Sequence, residues 1–426
     1  MTPTQAPVPD AFSVDVERLT YGPDALAHYE RCVVFVPFAA PGDRAEVRVE
    51  ERHRGYVRVR PTRLVSPGPA RVTPFCPVFG TCGGCQWQHV APATQRTAKG
   101  AVVAEQLARL GGLRDVDVRP VEAAGDRAYR ARITLAVQDK TLGYRQARSH
   151  ALVPVSACPI AADPVSAAVA PAAEWIAGDA PPMESLTIAA APNGVVMVAG
   201  LATAPDDDTR ARAEAWLART RGVQGIVLRA RGARLVLGDP RLHVPLEPDL
   251  HLEVPADVFT QVNPALNPRL VAAVCGEADV QPGSRALDLY CGAGNFALPL
   301  ARRGAHVLAV ESAALAVEAG RANAARTGLT GVEFRCGDVA RALARAPHAP
   351  PDVAILDPPR QGAAAALRPL VRQRPARIVY VSCDAATLAR DARALVAAGY
   401  RLAVVRPFDL FPHTHHVETV ATFWLT

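Results

Sequence analysis

Asp288-Leu-Tyr-Cys-Gly-Ala-Gly-Asn-Phe296 decides the fold. It joins the apolar run Ala286–Tyr290 to the start of a helical pattern, so it reads as the turn from a strand into a helix, and its glycines let the backbone approach a ligand closely. Outward from it, short apolar runs recur at His306–Val310, Val332–Phe334, Val353–Leu356 and Ile378–Val381. Helical segments of roughly 10–20 residues separate them, the rhythm of an α/β, doubly wound, mostly parallel sheet. Two later runs, near Arg401–Val405 and Val417–Phe423, are close enough to pair antiparallel at one edge. Pro264 and Pro268 flank the entry to this domain, read over residues 256–426.

The same turn implies a nucleoside ligand. Glu311 ends the second strand 19 residues after Gly292, where a carboxylate can accept bonds from ribose hydroxyls. Asp338 follows the third strand and is placed to face an adenine edge. The turn is only Gly-x-Gly, without the third glycine of the dinucleotide fingerprint. That favours S-adenosylmethionine (SAM), which has no pyrophosphate to cradle, over NAD.

The fourth and fifth strands end in Asp357-Pro-Pro-Arg360 and Ser382-Cys383-Asp384. Ligands bind at the carboxyl ends of such strands, so both stretches face the cofactor cleft. A cysteine there is either a small buried residue or a nucleophile. Methyl transfer to carbon 5 of uracil calls for the second: that carbon becomes nucleophilic only after a thiolate adds to carbon 6, and a base must later remove its proton. His413-Thr-His-His-Val-Glu418 offers such a base. The same three histidines and glutamate could instead hold a metal, and a cytidine methylase would share the cysteine logic.

Upstream lie two further domains. Over 10–68, Val47, Val49, Val57 and Val59 alternate with Arg48, Glu50, Arg58 and Arg60, the period of half-buried strands, and short strands joined by tight turns predict a small closed barrel. Seven arginines against three glutamates between Arg44 and Arg63 make it basic, and Phe35, Phe38 or Tyr56 either stack on bases or fill the barrel. Pro67-Gly68-Pro69 reads as a linker. Residues 69–255 form a mixed α/β central domain, opened by a helix near 94–110 that has the catalytic domain as a packing partner. Short β-like runs follow at Ile133–Val137, Leu186–Ala190, Gly194–Val198 and Ile226–Arg229, with a helix near 207–219.

Nine cysteines without a secretory signal read as reduced thiols, ligands or nucleophiles. Cys76, Cys82, Cys85 and Cys158 have metal-site spacing that leaves zinc and iron–sulfur open. Cys32, Cys275, Cys291 and Cys336 lack partner spacing and read as core. The first twelve residues read as a short disordered lead. The net charge of +6 is carried almost wholly by arginine, since Lys99 and Lys140 are the only lysines. Guanidinium suits phosphate contact and stacking. No apolar run approaches the roughly 20 residues of a membrane span.

The chain resembles the RNA uracil-5 methyltransferase family in Phe259-Thr-Gln-Val-Asn263, Asp288–Phe296, Asp357–Arg360, Ser382-Cys383 with Thr387-Leu-Ala-Arg-Asp391, and Phe411-Pro-His-Thr-His-His-Val-Glu418. The resemblance implies a class I SAM-dependent methyltransferase fold with an N-terminal, oligonucleotide-binding-like TRAM barrel. It implies Cys383 as nucleophile, Glu418 as base, and Gln261, Tyr290, Asn295, Glu311, Asp338 and Asp357 around SAM and the target base. For the four cysteines it implies a [4Fe–4S] cluster, with 5-methyluridine in large-subunit ribosomal RNA as the product; the alternatives are transfer RNA as substrate, or a non-catalytic RNA-binding protein that retains the fold. It further implies a cytoplasmic monomer. The family usually has Asn-Pro after the cysteine, whereas this chain has Asp384-Ala385; a carboxylate pointing inward there would oppose thiolate formation.

Overall fold

The computed structural model describes residues 8–345 and 350–426, so most of the N-terminal lead, residues 1–7, lies outside it. Five strands, β1 (Ala11–Leu19), β2 (Ala25–Tyr29), β3 (Cys32–Val36), β4 (Arg44–His53) and β5 (Tyr56–Ser66), close a barrel in the order β1-β2-β3-β5-β4. The period-2 valines fill it: Val14, Val16, Val34, Val36, Val47, Val57 and Val59 are all buried. Phe35, Phe38 and Tyr56 are outside that core. Phe38 is 39% exposed, and Tyr56 stacks on His53 at 4.4 Å.

The basic stretch is partly neutralised. Arg63 pairs with Glu46, Arg60 with Glu50 at 3.3 Å, Arg58 with Asp24 at 2.6 Å, Arg52 with Asp10 at 2.5 Å and Arg44 with Asp15 at 4.0 Å. Most of these pairs are exposed, worth about 0–1 kcal/mol each, so a phosphate can displace them. The segment after the barrel is not a loose linker. Gly68 donates its N–H to the buried Asp43 carboxylate at 2.9 Å, and Arg71 binds the same group at 2.6 Å.

The helix Pro92–Arg109 starts with proline in its first turn, where a missing N–H costs nothing. It buries Val103 and Leu107 in the same apolar cluster as Leu388, Ala389 and Leu395 of the helix Ala385–Ala397. The central domain is a seven-stranded sheet of β6 (Arg132–Gln138), β7 (Thr141–Arg145), β8 (Leu152–Pro154), β9 (Ser185–Ala191), β10 (Gly194–Gly200), β11 (Val223–Ala230) and β12 (Ala233–Gly238), ordered β12-β11-β10-β9-β6-β7-β8. The helix Asp207–Arg219 starts where Asp206 caps Thr209 N–H at 2.8 Å.

A hairpin, β13 (Arg241–Glu247) and β14 (Leu250–Pro255), falls inside the stretch read as central. Its Leu242, Val244, Leu246, Leu252 and Val254 nonetheless share a buried cluster with the catalytic sheet. That sheet comprises β15 (Arg285–Leu289), β16 (His306–Glu311), β17 (Val332–Cys336), β18 (Val353–Leu356), β19 (Arg377–Ser382), β20 (Tyr400–Phe408) and β21 (Glu418–Leu425). Its order is β17-β16-β15-β18-β19-β21-β20, with every strand parallel except β21, which runs antiparallel between β19 and β20. Cys275 and Cys291 are buried as expected of core residues and Cys32 is half-buried, but Cys336 is exposed at the end of edge strand β17.

Candidate active site

The strand-to-helix turn at the centre of the sheet is built as its sequence requires. After β15 the chain turns sharply. Tyr290 and Cys291 both donate N–H to Val310 O, at 2.9 and 3.1 Å, with Tyr290 at φ +64°. That conformation is costly for a non-glycine residue and is held by the pair of bonds. Gly294 lies at φ +99°, and a Cβ there would come within 2.9 Å of the Phe334 ring, so this position admits only glycine. Gly292 donates its N–H to Glu311 Oε2 at 3.2 Å, and Glu311 Oε1 accepts from Ala313 N–H at 2.8 Å. Asp338 Oδ1 accepts from Arg341 N–H at 2.9 Å. Tyr290, Glu311 and Asp338 thus line the ends of three adjacent strands. Asn295 differs: its amide and that of Asn267 bond reciprocally at 3.0 and 3.2 Å, so it is committed to holding the helix Asn267–Ala278.

Asp288 was not singled out in the sequence, although it opens the decisive motif. It is fully buried at the carboxyl end of β15, and neither carboxylate oxygen has a hydrogen-bond partner. Burial, then the nearby Asp357 charge, pushes its pKa well above the usual carboxylate range. Only the Ala297 backbone offsets this rise, so the carboxyl suits a ligand's donor or cation.

The residues expected to react come together on the other side of β15, at the ends of β18, β19 and β21. β19 and β21 pair with Ser382 opposite Thr419, which sets Cys383 and Glu418 side by side at the sheet's carboxyl edge. Asp357 leaves the neighbouring β18, and Gln261 Nε2 lies 3.5 Å from its Oδ2. Burial, then the Glu418 and Asp357 charges, pushes the Cys383 thiol up to about 12, while Arg360 opposes them. Burial and Asp357 likewise hold Glu418 well above its usual range, again against Arg360, and Glu418 Oε1 has no partner. Burial raises Asp357 to about 7. Asp384 Oδ1 caps the helix Ala385–Ala397 by accepting Thr387 N–H at 2.8 Å, and its charge still adds, after Glu418 and Asp357, to the rise of the Cys383 thiol.

The loop bearing Glu418 is clamped from outside the domain. Buried Lys99 donates to Asp409 at 2.5 Å and to Phe411 O at 2.9 Å. His413 accepts, at its carbonyl, from Gln86 and Trp87 N–H at 2.9 Å each, and its N–H bonds Gln95 Oε1 at 2.8 Å. Its ring meets Gln95 and Asp126 O, away from His415 and His416, and among the described residues these side chains form no metal-binding group.

Cys76, Cys82, Cys85 and Cys158 come together from distant sequence to line one cavity of about 340 Å³, with Tyr144 and Phe79 beside them. Burial raises Cys85 to about 12, opposed by Gln88 and reinforced by the other three thiols. Among the described residues no three such side chains converge on a point tightly enough for a single ion.

A family model described as tRNA (Uracil-5-)-methyltransferase matches residues 205–342 and 351–425, and one for the TRAM domain matches 10–60. This chain belongs to the tRNA (uracil-5-)-methyltransferase family. The enzyme is 37% identical to the 23S rRNA (uracil(1939)-C(5))-methyltransferase of Pectobacterium atrosepticum, over 97% of this chain and 93% of that one. It is 36% identical to the protein of the same name from Thiobacillus denitrificans, over 96% and 99%. The crystal structure of Pyrococcus abyssi tRNA (uracil-54, C5)-methyltransferase with S-adenosyl-L-homocysteine is also similar. It matches 96% of this chain and 100% of its own, at 26% identity and a TM-score of 0.72.

Proposed function

We propose that this enzyme methylates carbon 5 of a uridine in 23S ribosomal RNA, at the position equivalent to uracil 1939 of its relatives, with SAM as methyl donor. One observation carries the chemistry: the β19–β21 register sets a cysteine beside a buried glutamate with an unpartnered oxygen, at the same edge of the sheet as the turn after β15. Cys383 Sγ, after losing its proton to solvent, adds as the thiolate to carbon 6, and the ring electrons move onto the carbon-4 oxygen as an enolate. Carbon 5 then takes the methyl group of SAM, whose methyl–sulfur bond breaks to release S-adenosylhomocysteine. Glu418 removes the carbon-5 proton, the electrons return to the C5–C6 bond, and the Cys383 thiolate leaves. Gln261 and Asp357 orient the base, and Arg360 offsets the negative charge around the thiol.

The site fits SAM. Asp288 presents two unpartnered oxygens, Glu311 and Tyr290 flank the turn, Asp338 lies beyond, and Gly294 admits close approach. Asn295 acts through Asn267, shaping the turn. The four-cysteine cavity suits the [4Fe–4S] cluster that the resemblance implies, since four thiols line one pocket of about 340 Å³. Its contribution there is to hold the segment whose Gln86 and Trp87 clamp His413.

Architecture does not separate the two RNA classes, because the archaeal transfer RNA enzyme overlies nearly the whole chain, barrel region included. Ribosomal RNA is favoured by the higher identity to the relatives named for it. The test is transfer of label from SAM to unmodified ribosomal and transfer RNA, offered separately to anaerobically purified protein. Label as 5-methyluridine in 23S rRNA is expected. Label only in transfer RNA would overturn the substrate, and label in neither the activity.

A further inference from the structure

A second cleft, of about 730 Å³, lies between the barrel and the cysteine-rich segment and ends at His415. Its size falls within the roughly 300–1,000 Å³ of small-ligand sites. Two of its polar atoms are orphaned. Gln86 Nε2 donates to Gly83 O at 2.8 Å, which fixes the amide's orientation and leaves Oε1 buried with no partner. His415 Nδ1 is buried and unpartnered as well. Buried polar atoms are normally satisfied, so two orphans among the residues lining one cleft mark a place for a ligand's own polar edge.

The rest of the cleft matches a nucleotide. Phe38 offers an exposed ring, held in place at φ +53° and braced edge-on against Phe79 at 5.6 Å. Arg60 and Arg148 stand at the rim. Their ion pairs, to Glu50 at 3.3 Å and to Asp24 at 2.9 Å, involve guanidiniums that are more than half exposed and can turn to a phosphate. His415 places the cleft next to the proposed chemistry, since it precedes Glu418 by three residues on the same loop.

We infer that this cleft takes one unpaired nucleotide from the RNA strand that delivers the target uridine, its base stacked on Phe38 and an exocyclic amino group donating to Gln86 Oε1. Adenine, cytosine and guanine carry such a group. Uracil has only the N3–H donor, set between two carbonyls that would be driven against the Gln86 oxygen. The site rests on the proposed function for the identity of the RNA, but occupancy of the cleft can be read without methyl transfer.

The experiment is equilibrium binding, without SAM, of an unmodified 23S rRNA transcript containing the uridine. Phe38→Ala should weaken binding by about 5- to 150-fold, the range of one lost base–aromatic stack. Unpaired nucleotides around the target are then replaced by uridine one at a time. One replacement should weaken the wild type several-fold and have no effect on Gln86→Leu, the signature of a direct contact in a double-mutant cycle. Unchanged affinity in Phe38→Ala, or replacements that act equally on wild type and Gln86→Leu, would overturn the cleft as a nucleotide site. Both variants should keep wild-type SAM affinity, which separates a lost contact from a lost fold. If the transcript binds as expected but never accepts a methyl group, the cleft stands and the proposed activity falls.

Discussion

The barrel buries Asp43 completely and surrounds it with donors: Arg71, and the N–H groups of Ala40 at 2.7 Å and Gly68 at 2.9 Å. Burial alone would raise its pKa, but those bonds hold it below the usual range. The catalytic sheet buries Asp288 and Glu418 about as deeply, at 0% and 3% exposure, and gives them no cation in contact. Burial therefore pushes both well above the range of an ordinary carboxylate. Equal burial thus has two meanings. A carboxylate ringed by donors closes a structure, whereas one left without them awaits a partner that is not part of the chain.

Four measurements would break or sharpen that contrast. The largest effect is on turnover. Cys383→Ala should bind SAM normally and lose methyl transfer altogether, with residual activity above a few per cent speaking against the nucleophile. Glu418→Gln should cut turnover by about 10²–10⁴-fold, the usual worth of a general base, while a SAM-dependent protein–RNA adduct accumulates on a denaturing gel. Its thermal midpoint should stay at or above wild type, because the neutral amide resembles the protonated acid that burial already favours.

Asp43→Asn should do the opposite, leaving the chemistry alone and destabilising the protein by about 3 kcal/mol, since Arg71 loses its buried partner. The sign with pH follows. Asp43 is depressed, so its contribution is complete above the ordinary carboxylate range near 4 and is lost as pH falls below it. Denaturant titration from pH 7 downward reads this, and a variant as stable as wild type at pH 7 would contradict it. Third, alkylation of Cys383 by iodoacetamide in the free protein should rise about tenfold per pH unit from 7 to 10 without a plateau, because burial and three carboxylates push its pKa up to about 12. A plateau near pH 8 would mean the thiol is already activated in the absence of ligand.

The smallest effect is the most diagnostic. Asp288→Asn should stabilise the free protein by about 1 kcal/mol at neutral pH and weaken SAM binding. The Asp288 pKa is raised, so wild-type stability is fullest below the unfolded value near 4 and declines as pH rises through the folded one; the variant should lose that slope. Destabilisation on this substitution would place Asp288 with Asp43.

What was legible in the sequence had local causes. Alternating valines read as barrel strands because their period is that of a strand, and the catalytic sheet announced itself through apolar runs ending in polar motifs. Cys383 and Glu418 could be placed at the ends of such runs, but their roles as nucleophile and base came from the resemblance and not from the runs. What stayed hidden was made by partners far apart in the chain. β6 pairs with β9 some fifty residues on, and nothing in Thr141–Arg145 or Leu152–Pro154 states that they extend the same sheet. The commitment of Asn295 to Asn267, the burial of Lys99 against Asp409 and the pairing of the barrel's arginines are equally tertiary. Asp288 was visible as a letter in a motif, but its lack of donors could be seen only once its surroundings were built. Cys336, read as core, is exposed because β17 is an edge strand, and edges are decided by sheet order.

The burial of Lys99 has a practical side. Of the chain's two lysines, only Lys140 is exposed, at φ +56° in the turn between β6 and β7. Amine-reactive reagents will therefore find a single side chain, on the central domain rather than on the catalytic sheet. A dye or surface tether can be installed there without engineering, while lysine-directed cross-linking will report almost nothing of how this protein touches RNA. Mapping that contact calls for arginine-directed or photochemical reagents.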